Sequence, residues 1–97
     1  SLSTIKVVNT ITGTLIGFGQ EKSGTSTNGA WKFTQAILKT GTVKYPTKAA
    51  VEIWDKDGIY DKVKAMPIGT EITFHVNIES KEYQDKWFTN AKAWKIG

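Results

Sequence analysis

Trp31-Lys-Phe-Thr-Gln-Ala-Ile-Leu-Lys-Thr40-Gly-Thr-Val-Lys-Tyr45-Pro-Thr-Lys-Ala-Ala50-Val-Glu-Ile-Trp54 is the stretch on which the reading of this chain turns. It holds two β-type runs, Trp31 to Thr40 and Lys48 to Trp54, joined by the seven-residue connector Gly41 to Thr47. A hairpin loop centred near Val43 and Lys44 sets Phe33 opposite Trp54, Gln35 opposite Glu52 and Lys39 opposite Lys48. Successive strand side chains point to opposite faces, so Thr34, Ala36 and Leu38, with Ala49, Val51 and Ile53, form the expected core side. The other side carries Trp31, Phe33, Gln35, Ile37 and Lys39 against Lys48, Ala50, Glu52 and Trp54. Aromatics, amides and lysines on one face suit a ligand better than a core.

Upstream of this hairpin, Ile5 to Phe18 reads as a long strand with Ile5, Val7, Ile11 and Leu15 at alternate positions. Gly13 and Gly17 mark a bend or bulge, which a barrel needs where a strand turns a corner. Gln20 to Gly29 is polar, ends in the turn signal Asn28-Gly29, and is expected to form a long, mobile loop. Downstream, Asp55 to Met66 loses the alternation. Ile59, Tyr60, Val63 and Met66 fall at helical spacing and Pro67 stops the run, which predicts a short helix. Glu71 to Glu79 alternates Ile72, Phe74, Val76 and Ile78 with polar residues, the cleanest strand in the chain. Ser80 to Lys86 reads as a polar turn and Trp87 to Ile96 as a last strand.

The order strand, strand, strand, helix, strand, strand predicts an all-β chain with one short helix, a five-stranded OB-fold Greek-key barrel. Such barrels bind oligonucleotides or oligosaccharides on their second and third strands, here the opening hairpin. The expected organisation is an N-terminal extension over 1–10, adding a strand segment, and a single OB-fold domain over 11–97. A chain of 97 residues is too short to divide into two good cores.

Composition narrows the function. The net charge is +4, and all 13 basic residues are lysines. Arginine has a rigid fork suited to bidentate reading of guanine, whereas lysine is a flexible point charge suited to following phosphates without reading sequence, so the charge favours backbone contact over base readout. With no Cys there is no disulfide framework or thiolate metal site, and the redox compartment is unmarked. No apolar run approaches the roughly 18 to 20 residues of a membrane-spanning helix, and Ser1 to Thr10 lacks the pattern of a signal peptide. A soluble protein with no membrane partner is expected, in a cytoplasmic or virus-like intracellular setting.

Several groups of residues together resemble a known family. They are Gly13-Thr-Leu-Ile, Ser23-Gly24, Asn28-Gly-Ala-Trp-Lys32, Thr40 with Tyr45-Pro46, Val51 to Trp54, Gly69-Thr-Glu-Ile-Thr-Phe74, Ile78-Glu-Ser-Lys-Glu-Tyr83 and Trp87-Phe-Thr-Asn-Ala-Lys-Ala-Trp94. The chain resembles, over about residues 11 to 96, a small OB-fold family of mostly uncharacterised proteins akin to bacterial and phage single-stranded DNA-binding proteins. It departs from the pattern at Lys81 and Lys92, where arginines are usual, and at Ala36, where a larger aromatic is usual. The resemblance implies backbone binding of single-stranded DNA and assembly into a homo-oligomer, dimer or tetramer. Members of that kindred group often end in an acidic tail that recruits partners; this sequence stops at Gly97 without one, so either the tail is trimmed or recruitment does not run that way. The setting the resemblance implies is the cytoplasm of a bacterial or phage-infected cell.

Single strands are held without sequence preference by a positive groove along the phosphates and by aromatics that stack on bases, at about 1–3 kcal/mol per base. Both are present. Trp31, Phe33 and Trp54 lie on the hairpin's ligand face, and Phe88, Lys92 and Trp94 on one side of the last strand. Lys32, Lys39, Lys44, Lys48, Lys86 and Lys92 can contact phosphate. The nucleic-acid-binding residues expected are thus Trp31, Lys32, Phe33, Lys39, Lys48, Trp54, Phe88, Lys92 and Trp94. The competing role for each aromatic is core filling; Trp87 is assigned to the core or an edge. DNA and RNA are not separated, because stacking and lysines do not sense a 2′-hydroxyl.

Enzyme chemistry is not expected. His75 stands alone on the polar side of its strand and should face solvent, with no Cys, Ser or Asp arrangement beside it. Asp55-Lys-Asp57-Gly58-Ile-Tyr-Asp61 echoes a calcium loop but lacks the remaining ligands, and a turn with helix capping explains it better. Neither a metal nor a cofactor is expected. The alternative reading of the same barrel is a carbohydrate-binding or protein-docking module, with the aromatics stacked on sugars or anchoring an interface.

Overall fold

The computed structural model describes residues 9–97. In chain order it contains β1 (Asn9–Phe18), β2 (Lys22–Ser26), β3 (Gly29–Gly41), β4 (Pro46–Trp54), α1 (Ile59–Lys64), β5 (Glu71–Tyr83) and β6 (Lys86–Ile96). The first eight residues of the expected N-terminal extension lie outside the described part.

The β3–β4 hairpin has the register its side-chain pattern predicts. Phe33 pairs with Trp54, Gln35 with Glu52 and Lys39 with Lys48. Thr34, Ala36, Leu38, Val51 and Ile53 are buried on the inner face, while Trp31, Lys39 and Lys48 are exposed on the outer one. Register and burial agree because a one-residue slip would send the whole apolar set into water.

The strands close into a barrel in the order β1-β5-β6-β4-β3, sealed by pairing of β1 with β3. Among the described residues all pairings are antiparallel except β4–β6, a short parallel junction of Val51 with Ala91 and Glu52 with Lys92. With one helix between β4 and β5, this is the expected five-stranded OB-fold barrel. The expected bulge in β1 lies between Leu15 and Gly17, where the register against β3 shifts. Inside, Leu15, Ala36, Leu38, Val51, Ile53, Ile72, Phe74, Val76 and Ala93 form one core with Tyr60 and Val63 of α1. Each large aliphatic or aromatic side chain so buried contributes about 1.5–3 kcal/mol.

The polar stretch Gln20 to Gly29 differs from its expectation. It holds β2, which pairs with β3 from Lys22–Phe33 to Ser26–Gly29 and turns through Thr27-Asn28. β2 continues along the same edge of β3 that β1 occupies further on. Between the two, Gly19 N–H donates to the Gln35 carbonyl at 2.8 Å, and the Thr34 hydroxyl donates to the Gly19 carbonyl at 3.0 Å. Lys22-Ser-Gly-Thr-Ser26 buries no apolar side chain, so no alternation announces it; backbone pairing to β3 makes it a strand.

Ser80 to Lys86 differs in the same way. β5 runs to Tyr83 and β6 begins at Lys86, paired with it. Only Gln84 and Asp85 turn, with φ of 50° and 63°, the doubly left-handed geometry of a tight hairpin. Ile78 is 53% exposed, unlike the core position its alternation predicts, because the barrel wall has ended by then. α1 is shorter than the expected run, and its N-cap is Gly58 with no side-chain cap. Asp55 to Gly58 therefore forms a turn, as expected, but does not cap the helix through a side chain.

Candidate nucleic-acid interface

Strand parity puts Trp31 and Phe33 of β3 on the same side as Trp54 of β4. Cross-strand pairing then brings the rings together. Phe33 stacks on Trp54 with centroids 4.4 Å apart, and Trp31 lies 5.9 Å from each of them. The patch is partly buried against itself yet faces outward, since Trp31 remains 36% exposed. Beneath Trp31 is its β2 partner Gly24, where a Cβ would come within 2.5 Å of the indole. Only glycine lets the ring lie flat on the strand, so β2 is a floor for the patch.

The parallel junction adds β6. Lys92 neighbours Glu52 in register, but its ammonium lies 4.7 Å above the centre of the Trp54 ring. A lysine over an indole is held by the ring quadrupole and here presents positive charge beside a stacking surface. The Trp54 indole N–H donates to Glu52 Oε1 at 2.5 Å, which fixes ring and carboxylate together. Further along β6, a bulge opposite His75 and Val76 leaves Trp94 without a direct partner. Bulges re-aim side chains. Trp94 and Lys95 both point outward, so Ile96 still reaches the core, opposite Phe74. Trp94 packs against His75 at 5.5 Å. Between Trp54 and Trp94, with Lys92 and Asn77 on its walls, lies a cleft of about 220 Å³.

His75 therefore does not face solvent freely: it is half-buried beside Trp94, and its Nδ1 is buried with no hydrogen-bond partner among the described residues. Its strand ladder is interrupted by the bulge, which sequence alternation does not reveal.

The remaining expected site residues are placed elsewhere. Lys32 has the opposite parity to Trp31 and Phe33, and so leaves the aromatic face. Its ammonium lies 3.9 Å from Asp55 Oδ2 and 4.7 Å above the Tyr60 ring. Lys39 and Lys48 share the outer face with the aromatics but sit six residues away, about 20 Å along the strands. Phe88, opposite Lys81, stands 52% exposed on the hairpin arm formed by the ends of β5 and β6. Trp87 is also on the arm, 67% exposed, so of its two expected places it takes the edge. Phe88, Asn90 and Lys92 have one parity, and the outer face thus continues from the barrel onto the arm.

Glu52, Gln35 and Asn90 were not among the expected binding residues. They line, with Gln20, Lys22 and Phe33, a second cavity of about 310 Å³ on the same face. The parity that selects Phe33 and Trp54 also selects Gln35 and Glu52, and is the signal by which sequence reasoning finds them.

The profile of DUF3127, a domain of unknown function, matches residues 10–97. The chain belongs to that family. Among solved structures it is similar to the SSB domain of a Synechococcus protein, at 7% identity and a TM-score of 0.58 over 97% of each chain. It is also similar to a small single-stranded DNA-binding protein from Streptomyces coelicolor, at 10% identity and a TM-score of 0.49, covering 97% of this chain and 94% of that one. Comparison with curated proteins finds no match. This DUF3127 chain thus shares the OB-fold of that SSB domain, the fold that the resemblance read from the sequence implies.

Proposed function

We propose that this chain binds single-stranded DNA, largely without regard to sequence, by stacking bases on Trp31, Phe33 and Trp54 and holding phosphates with lysines. The observation that carries this reading is the three-ring patch with the Lys92 ammonium over its edge. A folded β-protein does not gain from leaving such rings on the outside unless something covers them. Stacking platforms beside positive charge are the means by which single strands are bound. The patch also lies on the second and third barrel strands, where OB-folds take their ligands. A fold neighbour described as an SSB domain supports the reading. On this reading the protein is a binding module rather than an enzyme, and Trp94 and Phe88 extend the platform in two directions.

The test is titration of fluorescent oligo-dT at low and moderate salt, with duplex and RNA competitors. Binding should quench tryptophan fluorescence and weaken steeply with salt, the logarithm of affinity falling by about 0.7 per neutralised phosphate for each unit of log salt. Sugar stacking on the same rings would barely respond to salt. Absence of both quenching and anisotropy change at micromolar protein overturns the proposal.

A further inference from the structure

A carboxylate at the middle of a surface for a polyanion is costly unless it has a task. Glu52 lies there, opposite Gln35 and beside Lys92 in the ladder. Among the described residues it forms no salt bridge, because Lys92 turns its ammonium onto the Trp54 ring. The carboxylate is nevertheless fixed, since the Trp54 indole N–H donates to its Oε1. A carboxylate oxygen accepts more than one hydrogen bond, so the group keeps acceptor capacity toward the cavity it shares with Gln20, Lys22, Phe33, Gln35 and Asn90. One of its walls is closely packed. The Gln35 amide lies over Gly19, where a Cβ would come within 2.9 Å of Gln35 Oε1. At about 310 Å³ its volume is at the lower end for small-molecule sites.

Its chemistry is one flat aromatic wall, one acceptor-only carboxylate, three amides and one ammonium. An unpaired base stacked on Phe33 would present its Watson–Crick edge to Glu52. Guanine alone among the four DNA bases offers two adjacent donors there, N1–H and the N2 amino group, which match the two oxygens of a carboxylate. Its O6, next in line, accepts from an amide or from Lys22. Adenine and cytosine place a ring acceptor beside their single amino group, and thymine flanks its one N–H with two carbonyls. All three bring lone pairs toward the carboxylate.

We propose that this cavity is a guanine-reading slot in the otherwise sequence-independent single-strand surface, with Glu52 as its specificity-determining residue. The proposal rests on the single-strand reading above and refines it. It also revises what the lack of arginine means. Arginine reads guanine on the O6/N7 edge, which a duplex exposes in its major groove. A carboxylate reads the edge that pairing covers, which is open only in a single strand.

The experiment compares anisotropy titrations of the full chain with four labelled oligomers of one length: oligo-dT, and oligo-dT carrying isolated dG, dC or deoxyinosine. Wild type should bind the dG oligomer about tenfold tighter than oligo-dT, the scale of one good bidentate pair. Deoxyinosine, which lacks the N2 amino group, should lose most of that gain, and dC should show little of it. Glu52→Gln, isosteric and still able to accept from Trp54, should bind all four oligomers alike, the dG preference being lost whatever its affinity for oligo-dT. Equal affinity of wild type for all four oligomers overturns the slot and leaves the single-strand reading standing, as does a dG preference that survives in Glu52→Gln. If wild type binds none of the four, both readings fall. The comparison within wild type stands without the variant, so a folding defect in Glu52→Gln does not shelter the proposal.

Discussion

The β3–β4 hairpin and the β5–β6 arm are built alike and supported differently. Both are antiparallel pairs with outward aromatics, Trp31, Phe33 and Trp54 on the first, Trp87 and Phe88 on the second. Under the first lies the core, with Ala36, Leu38, Val51 and Ile53 fully buried. Under the arm from Ile78 onward there is none among the described residues; every residue from Asn77 to Asn90 is exposed. The rings on the hairpin are consequently pre-ordered, stacked on one another before any ligand arrives. Those on the arm must be ordered by the ligand, which costs about 0.5–1.5 kcal/mol per side chain immobilised. Two aromatic hairpins of similar composition thus offer a rigid platform and an adaptable one.

The largest expected effect tests the difference in support along a single strand. Phe74 and Ile78 share the parity of β5, yet Phe74 is 0% exposed and Ile78 53% exposed. Phe74→Ala should cost about 3–5 kcal/mol of unfolding free energy, a large share of the total for a domain of this size. Ile78→Ala should stay within about 0.5 kcal/mol, as surface substitutions do. Urea denaturation followed by tryptophan fluorescence measures both. Comparable losses would mean that the arm is packed against something in solution and would erase the contrast.

Next comes binding. Trp54→Ala removes the ring shared by Phe33, Lys92 and Glu52 and should weaken oligo-dT binding by about 2 kcal/mol, roughly 30-fold. Stability should fall by about 1 kcal/mol through loss of the aromatic pair. Phe88→Ala should weaken binding by about 1 kcal/mol or less, because part of its stacking energy is spent on ordering the arm, with stability unchanged. A larger binding loss from Phe88→Ala than from Trp54→Ala would make the arm the principal platform. Strong destabilisation by Trp54→Ala, with unchanged affinity per folded molecule, would assign Trp54 to the core.

The same difference decides what the sequence makes legible. The β3–β4 register could be read because alternation there has a physical cause: one face is buried, so Thr34, Ala36 and Leu38 differ in kind from Trp31, Phe33 and Lys39. β2 and the arm lack that cause. Lys22 to Ser26 and Ser80 to Lys86 are largely polar and look like loops, although all of the first, and all of the second but the turn Gln84-Asp85, carry strand pairing. The outward aromatics were legible as a group, since parity alone joins Trp31, Phe33 and Trp54. What could not be read was where lysine ammoniums end up. Lys32 turns to Asp55 and Tyr60, and Lys92 turns onto Trp54, choices set by partners distant in sequence. Glu52 was visible on the face, but that it forms no salt bridge among the described residues depends on Lys92 and emerges only in three dimensions.

The smallest effect concerns charge rather than rings. Lys39 and Lys48 are directly opposed on the supported hairpin, and like charges so placed are destabilising by a fraction of a kcal/mol. The neighbouring Thr40 and Thr47 hydroxyls, 2.6 Å apart, hold the ladder regardless. Such a pair is relieved by a phosphate lying between the two ammoniums, so the repulsion in the free protein and the attraction for DNA have one origin. Lys48→Glu should therefore act in opposite directions on the two properties. Thermal or urea unfolding should show a gain of about 0.2–1 kcal/mol, as the introduced carboxylate attracts the Lys39 ammonium across the ladder. The salt dependence of oligo-dT binding should become shallower, by about 0.7 for each phosphate that is no longer neutralised. On the arm, Lys81 faces Phe88 rather than another lysine, so Lys81→Glu should reduce the salt slope without the gain in stability. If Lys48→Glu stabilises the fold and leaves the salt slope untouched, the lysine end of the hairpin lies off the path of the strand, and the aromatic end binds alone.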